Sequence, residues 1–386
     1  CVANTTINIT TRHSMGKIKS ALYPHLQRMR YKNLISAFEK GKKCKMVDNQ
    51  ILMLCTSKGK LGGNLAVVKS YIEQNGLDYN IITVTSKEQM TPDELGKTMA
   101  QSKYIMVDDF EPMVYVLILR DGQHLVQLWH AMGAFKRFGY CRGTAESGSL
   151  THKNYTEAIV SSPELCRIYA ESFGISVDKI KPVGTPRTDL FFNSDYVASA
   201  KKRLYDRAPS LVGKKICLFA PTFRGQNVND AYYPKNFIDL QGLSNSLGDD
   251  WAIIVKLHPF IKGKFNIPDC ERIFDFSDER EINDILFITD VLVTDYSSVI
   301  FENAIIGNSA VLYAPDYEEY NSNRGFYFDY KDYSCGSIVS NQNDLADAIK
   351  SITNNNDDYI AFKKRFVSLC DGHSCERFVK EILEEG

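Results

Sequence analysis

Two histidines follow apolar stretches that are typical of buried strands. His130 follows Leu125–Trp129, and His258 follows Trp251–Leu257. Functional groups of open α/β sheets lie at the carboxyl ends of strands, and a histidine in that position can transfer a proton near neutral pH. A single histidine more commonly makes a structural hydrogen bond, so neither one alone identifies a site.

A second candidate is the stretch Asp290–Asn303, which predicts a strand, a tight turn and then a helix that begins at Val299. Ser297 and Ser298 fall at the helix N-terminus, where free backbone N–H groups and the helix dipole favour an anion. A serine at this position also caps a helix without any ligand. We expect Asp295 to shape the turn, orienting His258 or a serine, rather than to contact an anionic ligand.

A third strand end adds cationic and hydroxyl groups. The apolar run Lys215–Ala220 leads into Thr222 and Arg224. With His258 and the serine-capped helix, these side chains supply a guanidinium, an imidazole and hydroxyls, a set that suits a pyrophosphate. Glu302, one turn into the helix, would accept from ribose hydroxyls or form a salt bridge on the helix surface.

The strand–helix alternation that positions these groups runs through both halves of the chain. A length of 386 residues exceeds one ordinary core, and two α/β domains with parallel sheets are expected. We predict a basic segment over residues 1–48, one domain over 49–190 and a second over 191–386. Two Rossmann-like domains facing a cleft form the glycosyltransferase-B type of arrangement.

Charge is unevenly distributed despite a net charge of -1. Between Lys17 and Lys45 there are nine basic residues and one acidic residue, Glu39, interleaved with apolar side chains. A basic amphipathic helix of this kind binds an anionic membrane surface or packs its apolar side on its own domain. No run of about 18 apolar residues predicts a spanning helix. Ten scattered cysteines without a CxxC pair favour reduced thiols.

Five blocks, in this order, resemble the CDP-glycerol glycerophosphotransferase family, which includes teichoic-acid and capsule-type polyol-phosphate transferases and polymerases. The blocks are LWHAMGAFKRFG, GTPRTD, APTFRG, VKLHPF and TDYSSVIFE. The resemblance covers roughly residues 50–386, and the five blocks together are specific. Many members carry glycine where this chain has Ala131, a departure that concerns subfamily and substrate more than chemistry.

The resemblance implies a reaction and a role for each residue. A hydroxyl of a polyol-phosphate or lipid-linked saccharide acceptor attacks the β-phosphorus of CDP-glycerol or CDP-ribitol, and CMP leaves. His130 is expected to act as general base in an N-terminal, acceptor-side domain, and His258 to hold the pyrophosphate in a C-terminal, donor-binding domain; the reverse assignment stays open. The other expected donor-site and phosphate-binding residues are Thr222, Arg224, Asp295, Ser297, Ser298, Glu302 and Arg187, while Gly133 and Lys136 are expected on the acceptor side.

The cations and the helix dipole already offset the donor's charge, so no tightly bound metal or cofactor is expected, although assistance by Mg²⁺ stays open. Asp108 and Asp109 end a predicted strand, where such a pair caps a turn more often than it binds a metal. We expect no nucleic-acid partner and a peripheral location at the cytoplasmic face of a bacterial membrane. Glycerol or ribitol, primase or polymerase, the acceptor and the oligomeric state are left open.

Two other functions fit the same sequence. A nucleotide-sugar glycosyltransferase of this fold would break a bond at an anomeric carbon and release a nucleoside diphosphate. A non-catalytic protein would bind a membrane surface through the basic segment alone. Histidines at strand ends in both predicted domains favour an enzyme over the second alternative.

Overall fold

The structure of the protein, a computed structural model, describes residues 22–56, 59–142, 149–225, 229–333, 336–352 and 357–386. The chain forms two compact units, each built on a six-stranded sheet. The first unit takes its described residues from Cys1–His130, Phe138–Arg187 and Cys375–Gly386, and the second from Ala131–Arg137 and Thr188–Ser374. The predicted class, α/β with two Rossmann-like domains, is confirmed.

The sheet of the first unit is parallel, with the strand order β2-β1-β3-β4-β5-β6. Its strands are β1 (Val47–Leu54), β2 (Asn80–Val84), β3 (Ser102–Val107), β4 (His124–Gln127), β5 (Glu157–Ile159) and β6 (Ile180–Lys181). Its helices are α1 (22–30), α2 (Lys32–Gly41), α3 (Gly63–Gln74), α4 (Pro92–Gln101) and α5 (Cys166–Phe173). The strand order reverses between β1 and β3, so ligands are expected at the carboxyl ends of these two strands.

The second unit repeats this design, with the order β12-β11-β10-β7-β8-β9 and parallel pairing throughout. Its strands are β7 (Lys215–Phe219), β8 (Trp251–Val255), β9 (Ile273–Asp275), β10 (Val291–Thr294), β11 (Ser309–Tyr313) and β12 (Ser337–Val339). Its helices are α6 (Ser194–Arg207), α7 (Leu240–Leu247), α8 (Ile282–Leu286), α9 (Val299–Ile306), α10 (Tyr317–Arg324), α11 (Leu345–Ser351) and α12 (Asp357–Val367). Here the order reverses between β7 and β10.

The central strands are apolar because both faces of each sheet are covered. All residues of β8 and β11 are buried, as are Ile51–Leu54 of β1. Parallel strands covered on both faces carry continuous rather than alternating apolar runs. The predicted strand, turn and helix over Asp290–Asn303 are confirmed as β10 and α9, and Gly307, which caps the C-terminus of α9, has a φ of 100°.

The C-terminal residues pack in the first unit. Helix α13 (Ser374–Phe378) is followed by a π-helix over Val379–Glu384. The hydroxyls of Tyr79 and Tyr104 donate to the carbonyl oxygen of Leu383, at 3.2 and 2.9 Å. Whereas the sequence interpretation assigned all of 191–386 to one domain, the structure groups Cys375–Gly386 with the first unit.

The basic N-terminal segment is helical where it is described, and its residues 1–21 lie outside the described part of the chain. Helix α2 packs Leu34, Ala37 and Phe38 into its own unit, as one of the two sequence interpretations expected. Helix α1 instead leaves its apolar residues exposed. Within the described residues, no helix has the length and apolar character to cross a membrane, and no disulfide joins two cysteines.

Candidate active site

His130 lies three residues beyond β4, in a loop with an unusual backbone conformation. Trp129 has a φ of 53°, the left-handed region that side chains other than glycine rarely adopt. Two buried amides hold it there. The Oε1 atom of Gln127 accepts from the Trp129 N–H at 2.8 Å, and Nδ2 of Asn64 donates to the carbonyls of Leu128 and Trp129 at 3.1 and 2.6 Å. This loop presents His130 at the carboxyl edge of the sheet.

The His130 ring faces a carboxylate. Its Nδ1 atom lies 3.3 Å from Oδ1 of Asp109, with the two side chains 47% and 31% exposed. Strand β3, which Asp109 follows, is the parallel neighbour of β4. A carboxylate on Nδ1 favours the tautomer that has its basic lone pair on Nε2. His130 can therefore accept a proton on Nε2 while Asp109 stabilises the resulting imidazolium.

Asp109 is a candidate functional residue that the sequence interpretation did not include, because it treated Asp108 and Asp109 as a turn cap or a metal pair. The available signal was the position of Asp109 at the end of one strand and His130 at the end of another. Among the described residues, no group of three or more His, Cys, Asp or Glu side chains could hold a metal ion.

Arg187 lies beside His130 in the first unit. Its backbone N–H donates to Oδ1 of Asn64 at 3.0 Å, and its Nη1 atom donates to the carbonyl oxygen of His130. Asn64 therefore joins Arg187 to the loop that carries His130. The sequence interpretation counted Arg187 among the donor-site and phosphate-binding residues, whereas in the structure its contacts support the loop that carries His130.

A buried network of hydrogen bonds supports the loop of residues 128–130, which carries His130. Gln127 donates from Nε2 to the carbonyl of Asp109 at 3.1 Å and to the hydroxyl of Tyr155 at 2.7 Å. The Tyr155 hydroxyl also lies 3.0 Å from Nδ1 of His152. Burial lowers the pKa of His152 to about 4, so this ring is neutral at physiological pH. Gln127 thus holds the backbone of both Asp109 and Trp129.

In the second unit, His258 follows β8 and caps a short 3₁₀-helix over Pro259–Ile261. Its Nδ1 atom accepts from the Phe260 N–H at 3.2 Å. A backbone N–H can only donate, so the hydrogen of the neutral ring is on Nε2. The rings of Phe223 and Phe260 lie against it, each with its centroid 4.7 Å away. His258 is therefore positioned as a hydrogen-bond donor.

Two lysines place positive charge near His258. Burial, together with the charges of Lys136 and Lys256, lowers the pKa of His258 to about 4. Lys256 is itself buried, and this burial lowers the pKa of its ammonium group. At neutral pH the site combines an uncharged imidazole N–H with nearby cations, an arrangement that attracts a phosphate oxygen.

At the point where the strand order reverses, the carboxylate of Asp295 joins the ends of β7 and β10. Its Oδ1 atom accepts from the N–H groups of Thr222 and Tyr296, at 2.7 and 2.6 Å. Its Oδ2 atom accepts from Nη1 of Arg224 at 3.0 Å. Asp295 is 1% exposed. It shapes the turn, as the sequence suggested, but within the described residues its carboxylate makes no hydrogen bond to His258 or to a serine.

Arg224 is held in a buried ion-pair network. It is 7% exposed and pairs in a bidentate manner with Asp316, with Nε–Oδ2 and Nη2–Oδ1 distances of 2.6 and 2.9 Å. Its Nη1 atom donates to the carbonyl of Thr222 and to Asp295. Four donor contacts of the guanidinium are thus made within the protein, so the structure favours a positioning role over direct contact with phosphate.

Three groups near this network remain suited to an anion. Ser297 and Ser298 precede α9 and are partly exposed, and Ser298 makes no side-chain cap hydrogen bond. The Oγ1 atom of Thr222 is buried, and it has no hydrogen-bond partner among the described residues. Two roles were expected for Glu302, contact with a ribose or a salt bridge on the helix surface, and its 3% exposure within α9 does not fit the second.

Gly133 and Lys136 lie in the segment Ala131–Arg137, which belongs to the second unit. The ring of Phe135 stacks on that of Tyr333, with centroids 4.1 Å apart. Gly133 has a φ of 67°, and a Cβ atom there would lie 2.3 Å from Cε2 of Phe301. The sequence interpretation placed both residues on the acceptor side; the structure instead gives Gly133 a packing role and sets Lys136 among the charges around His258.

Comparisons with known proteins agree with this architecture. The model of the family described as CDP-Glycerol:Poly(glycerophosphate) glycerophosphotransferase matches residues 40–384. The teichoic acid poly(ribitol-phosphate) polymerase of Bacillus spizizenii is 38% identical over 87% of this chain and 56% of its own length. The teichoic acid glycerol-phosphate transferase of Staphylococcus aureus is 31% identical over 67% of this chain and 71% of its own length.

A solved structure of the wall teichoic acid polymerase TagF superposes with a TM-score of 0.74 at 19% identity, covering 98% of this chain and 97% of that one. At this identity the likeness concerns the fold. The chain spans a little over half the length of the ribitol-phosphate polymerase that it matches. With the family model matched over most of its length, this chain belongs to the CDP-glycerol:poly(glycerophosphate) glycerophosphotransferase family.

Proposed function

We propose that this chain transfers a polyol phosphate from a CDP-polyol to a hydroxyl of an acceptor and releases CMP, in the synthesis of a teichoic acid or a related capsule polymer. Membership of the family supports this reaction class, as do the relatives that transfer or polymerise polyol phosphates. The observation that carries the proposal is the pairing of His130 with Asp109 at 3.3 Å, because a hydroxyl nucleophile needs a base.

In this reaction the acceptor oxygen forms a bond to the β-phosphorus, and the bond from that phosphorus to the bridging oxygen breaks. The electron pair leaves with the bridging oxygen on CMP. The hydroxyl proton passes to Nε2 of His130, and Asp109 stabilises the imidazolium. General-base assistance of this kind typically contributes about 10²–10⁴-fold to the rate.

The second unit would bind the donor. Charge that develops on the pyrophosphate would be stabilised by the Nε2–H group of His258 and by Lys136 and Lys256, whose charges already act on that ring. Phosphoryl transfer depends mainly on positioning and on electrostatic stabilisation of this kind. Because its pKa is low, the His258 ring stays neutral and keeps its Nε2–H group as a hydrogen-bond donor across the physiological pH range.

The remaining phosphate oxygens would be held by Ser297, Ser298 and Thr222. The two serines offer hydroxyls at the N-terminus of α9, where the dipole favours an anion. The Oγ1 hydroxyl of Thr222, which has no hydrogen-bond partner among the described residues, offers a third hydrogen-bond donor. Arg224 and Asp295 would act indirectly, by fixing the backbone that carries these groups. Glu302 remains proposed for the ribose, although its burial requires that the ribose reach into the protein.

For the polyol we propose ribitol. The poly(ribitol-phosphate) polymerase relative is 38% identical to this chain and the glycerol-phosphate transferase relative 31%. Ribitol carries more hydroxyls than glycerol, so a ribitol site must supply more hydrogen-bond partners. A tenfold preference in kcat/KM for either CDP-polyol, about 1.4 kcal/mol, would name the donor.

We also propose that α1 binds an anionic membrane surface. Leu22, Leu26 and Met29 are spaced as one face of a helix, and each is more than half exposed. Arg28 and Arg30 lie on the same helix. An apolar stripe with neighbouring cations suits the interface of a negatively charged bilayer. Replacing the three apolar residues with serine should abolish sedimentation with anionic liposomes; unchanged sedimentation would exclude this role.

The reaction is tested by measuring CMP release from CDP-ribitol and CDP-glycerol with a lipid-linked or polymeric acceptor. Wild type, His130→Ala and His258→Ala would be compared, with His373→Ala as a control because His373 is exposed and outside the proposed site. Release from one donor, lost in the first two variants and kept in the control, supports the proposal. Activity with sugar nucleotides alone would identify a glycosyltransferase instead.

A further inference from the structure

The first unit contains a cavity of about 530 Å³ that the proposed chemistry does not yet use. Thr56 beyond β1, Ser86 beyond β2 and Glu111 beyond β3 all line it. It therefore lies at the carboxyl ends of the strands where the order of the sheet reverses, the usual ligand position in open α/β sheets. Its volume falls in the range of about 300–1,000 Å³ found for small-molecule sites.

The charges that line the cavity favour an anion. Arg30, Lys32 and Lys87 are exposed lining residues. Of the lining residues, all of which the structure describes, only Glu111 is acidic. The Glu111 carboxylate already accepts from the N–H and the hydroxyl of Thr56, at 2.7 and 2.8 Å. Three positive charges therefore face one negative charge that is buried and hydrogen-bonded.

The uncharged lining is mixed. Tyr31, Asn33 and Ser86 add polar side chains, and Met90, Leu95 and Met113 form apolar walls. Asn33 and Ser86 can each exchange hydrogen bonds with a hydroxyl group, whereas a purely ionic site would not need them. The lining suits a phosphodiester that carries hydroxyl-bearing carbons on either side.

Two lining residues of the cavity are adjacent in sequence to Asp109, the partner of the proposed base. Phe110 and Glu111, both lining residues, immediately follow Asp109, which contacts Nδ1 of His130. We infer that this cavity binds the polyol-phosphate end of the acceptor, with its terminal hydroxyl directed to His130. The inference rests on the proposed transfer reaction, and it names the part of the first unit that would recognise the acceptor.

Lys87 tests this assignment best, because it lies outside helix α1 and its removal leaves the proposed membrane stripe intact. The kinetic experiment measures CMP release from Lys87→Ala and Lys87→Glu at varied acceptor and donor concentrations. Lys69→Ala is the control, since Lys69 belongs to the same unit but does not line the cavity. We expect the KM for acceptor to rise about tenfold, the loss of one charge-assisted contact, with the KM for donor unchanged.

A binding experiment without donor separates this inference from the proposed reaction. A short soluble polyol-phosphate oligomer is titrated into wild type and Lys87→Glu, and phosphatidylglycerol vesicles are titrated in parallel. Weaker oligomer binding in the variant supports the cavity even if wild type releases no CMP, an outcome that would refute the reaction alone. Equal oligomer binding and equal acceptor KM in both proteins would overturn the inference. Loss of vesicle binding alone would also overturn it and identify a lipid headgroup site.

Discussion

Nδ1 of His130 lies 3.3 Å from Oδ1 of Asp109, and the two residues follow adjacent parallel strands, β4 and β3. A half-exposed histidine whose ring is oriented by a carboxylate has one nitrogen directed to the protein and the other available to a substrate. The relationship assigns the base of the proposed reaction to the first unit. Asp109 would orient the ring and stabilise the imidazolium, whereas His130 would accept the proton, so the two roles can be tested by separate substitutions.

The first prediction concerns this pair. Asp109→Asn should reduce kcat by about 10²–10⁴-fold, because the amide can hold the ring in the wrong tautomer and cannot stabilise an imidazolium. The KM for donor should not change, since Asp109 lies in the first unit. The matched control is Asp93→Asn, which removes a carboxylate paired with Lys97 on the surface of α4. Full activity of Asp109→Asn would refute the role of Asp109 in orienting the His130 ring and stabilising its imidazolium.

The second prediction is that His258 stays neutral well below pH 6. Its pKa is lowered to about 4 by burial and by Lys136 and Lys256, against about 6.5 for an unfolded chain. Between these values the unfolded chain binds a proton that the folded protein does not. The free energy of unfolding should therefore fall as the pH drops from about 6.5 to 4. Above about pH 6.5 the ring is neutral in both states, and His258 causes no loss of stability there.

Two-dimensional NMR of the histidine ring resonances checks this directly. His258 should titrate near pH 4 in wild type, and Lys136→Ala should shift its pKa upward, because one positive charge is removed. His152, whose pKa burial also lowers to about 4, provides an internal reference that Lys136→Ala should leave unchanged. A His258 titration near pH 6.5 would contradict the partly buried environment with two nearby lysines.

The third prediction distinguishes the two roles considered for Arg224. Arg224→Met leaves the carboxylates of Asp295 and Asp316 buried without their cation, so it should lower the free energy of unfolding by about 3–5 kcal/mol. Arg167→Ala is the control: Arg167 pairs with Glu171 at 2.9 Å and both side chains are exposed, so the loss should be about 0–1 kcal/mol. Both values come from urea unfolding.

A stable Arg224→Met protein with a raised KM for donor would contradict the positioning role. It would instead support direct contact between the guanidinium and the donor phosphates, the role first inferred from the sequence. Arg224→Lys is informative as well, because an ammonium keeps the charge but cannot reproduce the bidentate pairing with Asp316.

Much of the fold followed from apolar runs and from the groups at their ends. The stretch Asp290–Asn303 predicted β10 and α9, since three consecutive apolar residues mark a strand covered on both faces. His130 and His258 were placed correctly at strand ends by the same argument. These predictions depend only on local sequence and on the rule that parallel sheets present functional groups at their carboxyl edge.

The hydrogen-bond and ion-pair partners of the candidate site residues could not be predicted from local sequence in the same way. Arg224 and Asp316 are 92 residues apart in the chain, and only the folded sheet brings them together. A phosphate and a buried carboxylate both attract a guanidinium, so residue type alone could not distinguish them. Asn64 and Arg187 illustrate the same difficulty, because an amide 123 residues away from Arg187 determines which loop the arginine supports.

The fourth prediction concerns Gly133, which the sequence placed on the acceptor side and the structure packs against Phe301. Gly133→Ala should destabilise the protein by about 1–3 kcal/mol through overpacking, with a further contribution from its φ of 67°. Gly213→Ala separates the two effects, because Gly213 has a φ of 80° and no heavy atom within 4 Å of an added Cβ. Urea unfolding of both variants should therefore show the larger loss at Gly133. Equal losses would mean that backbone strain alone explains the glycine, and a stable Gly133→Ala protein with reduced activity would return it to the acceptor side.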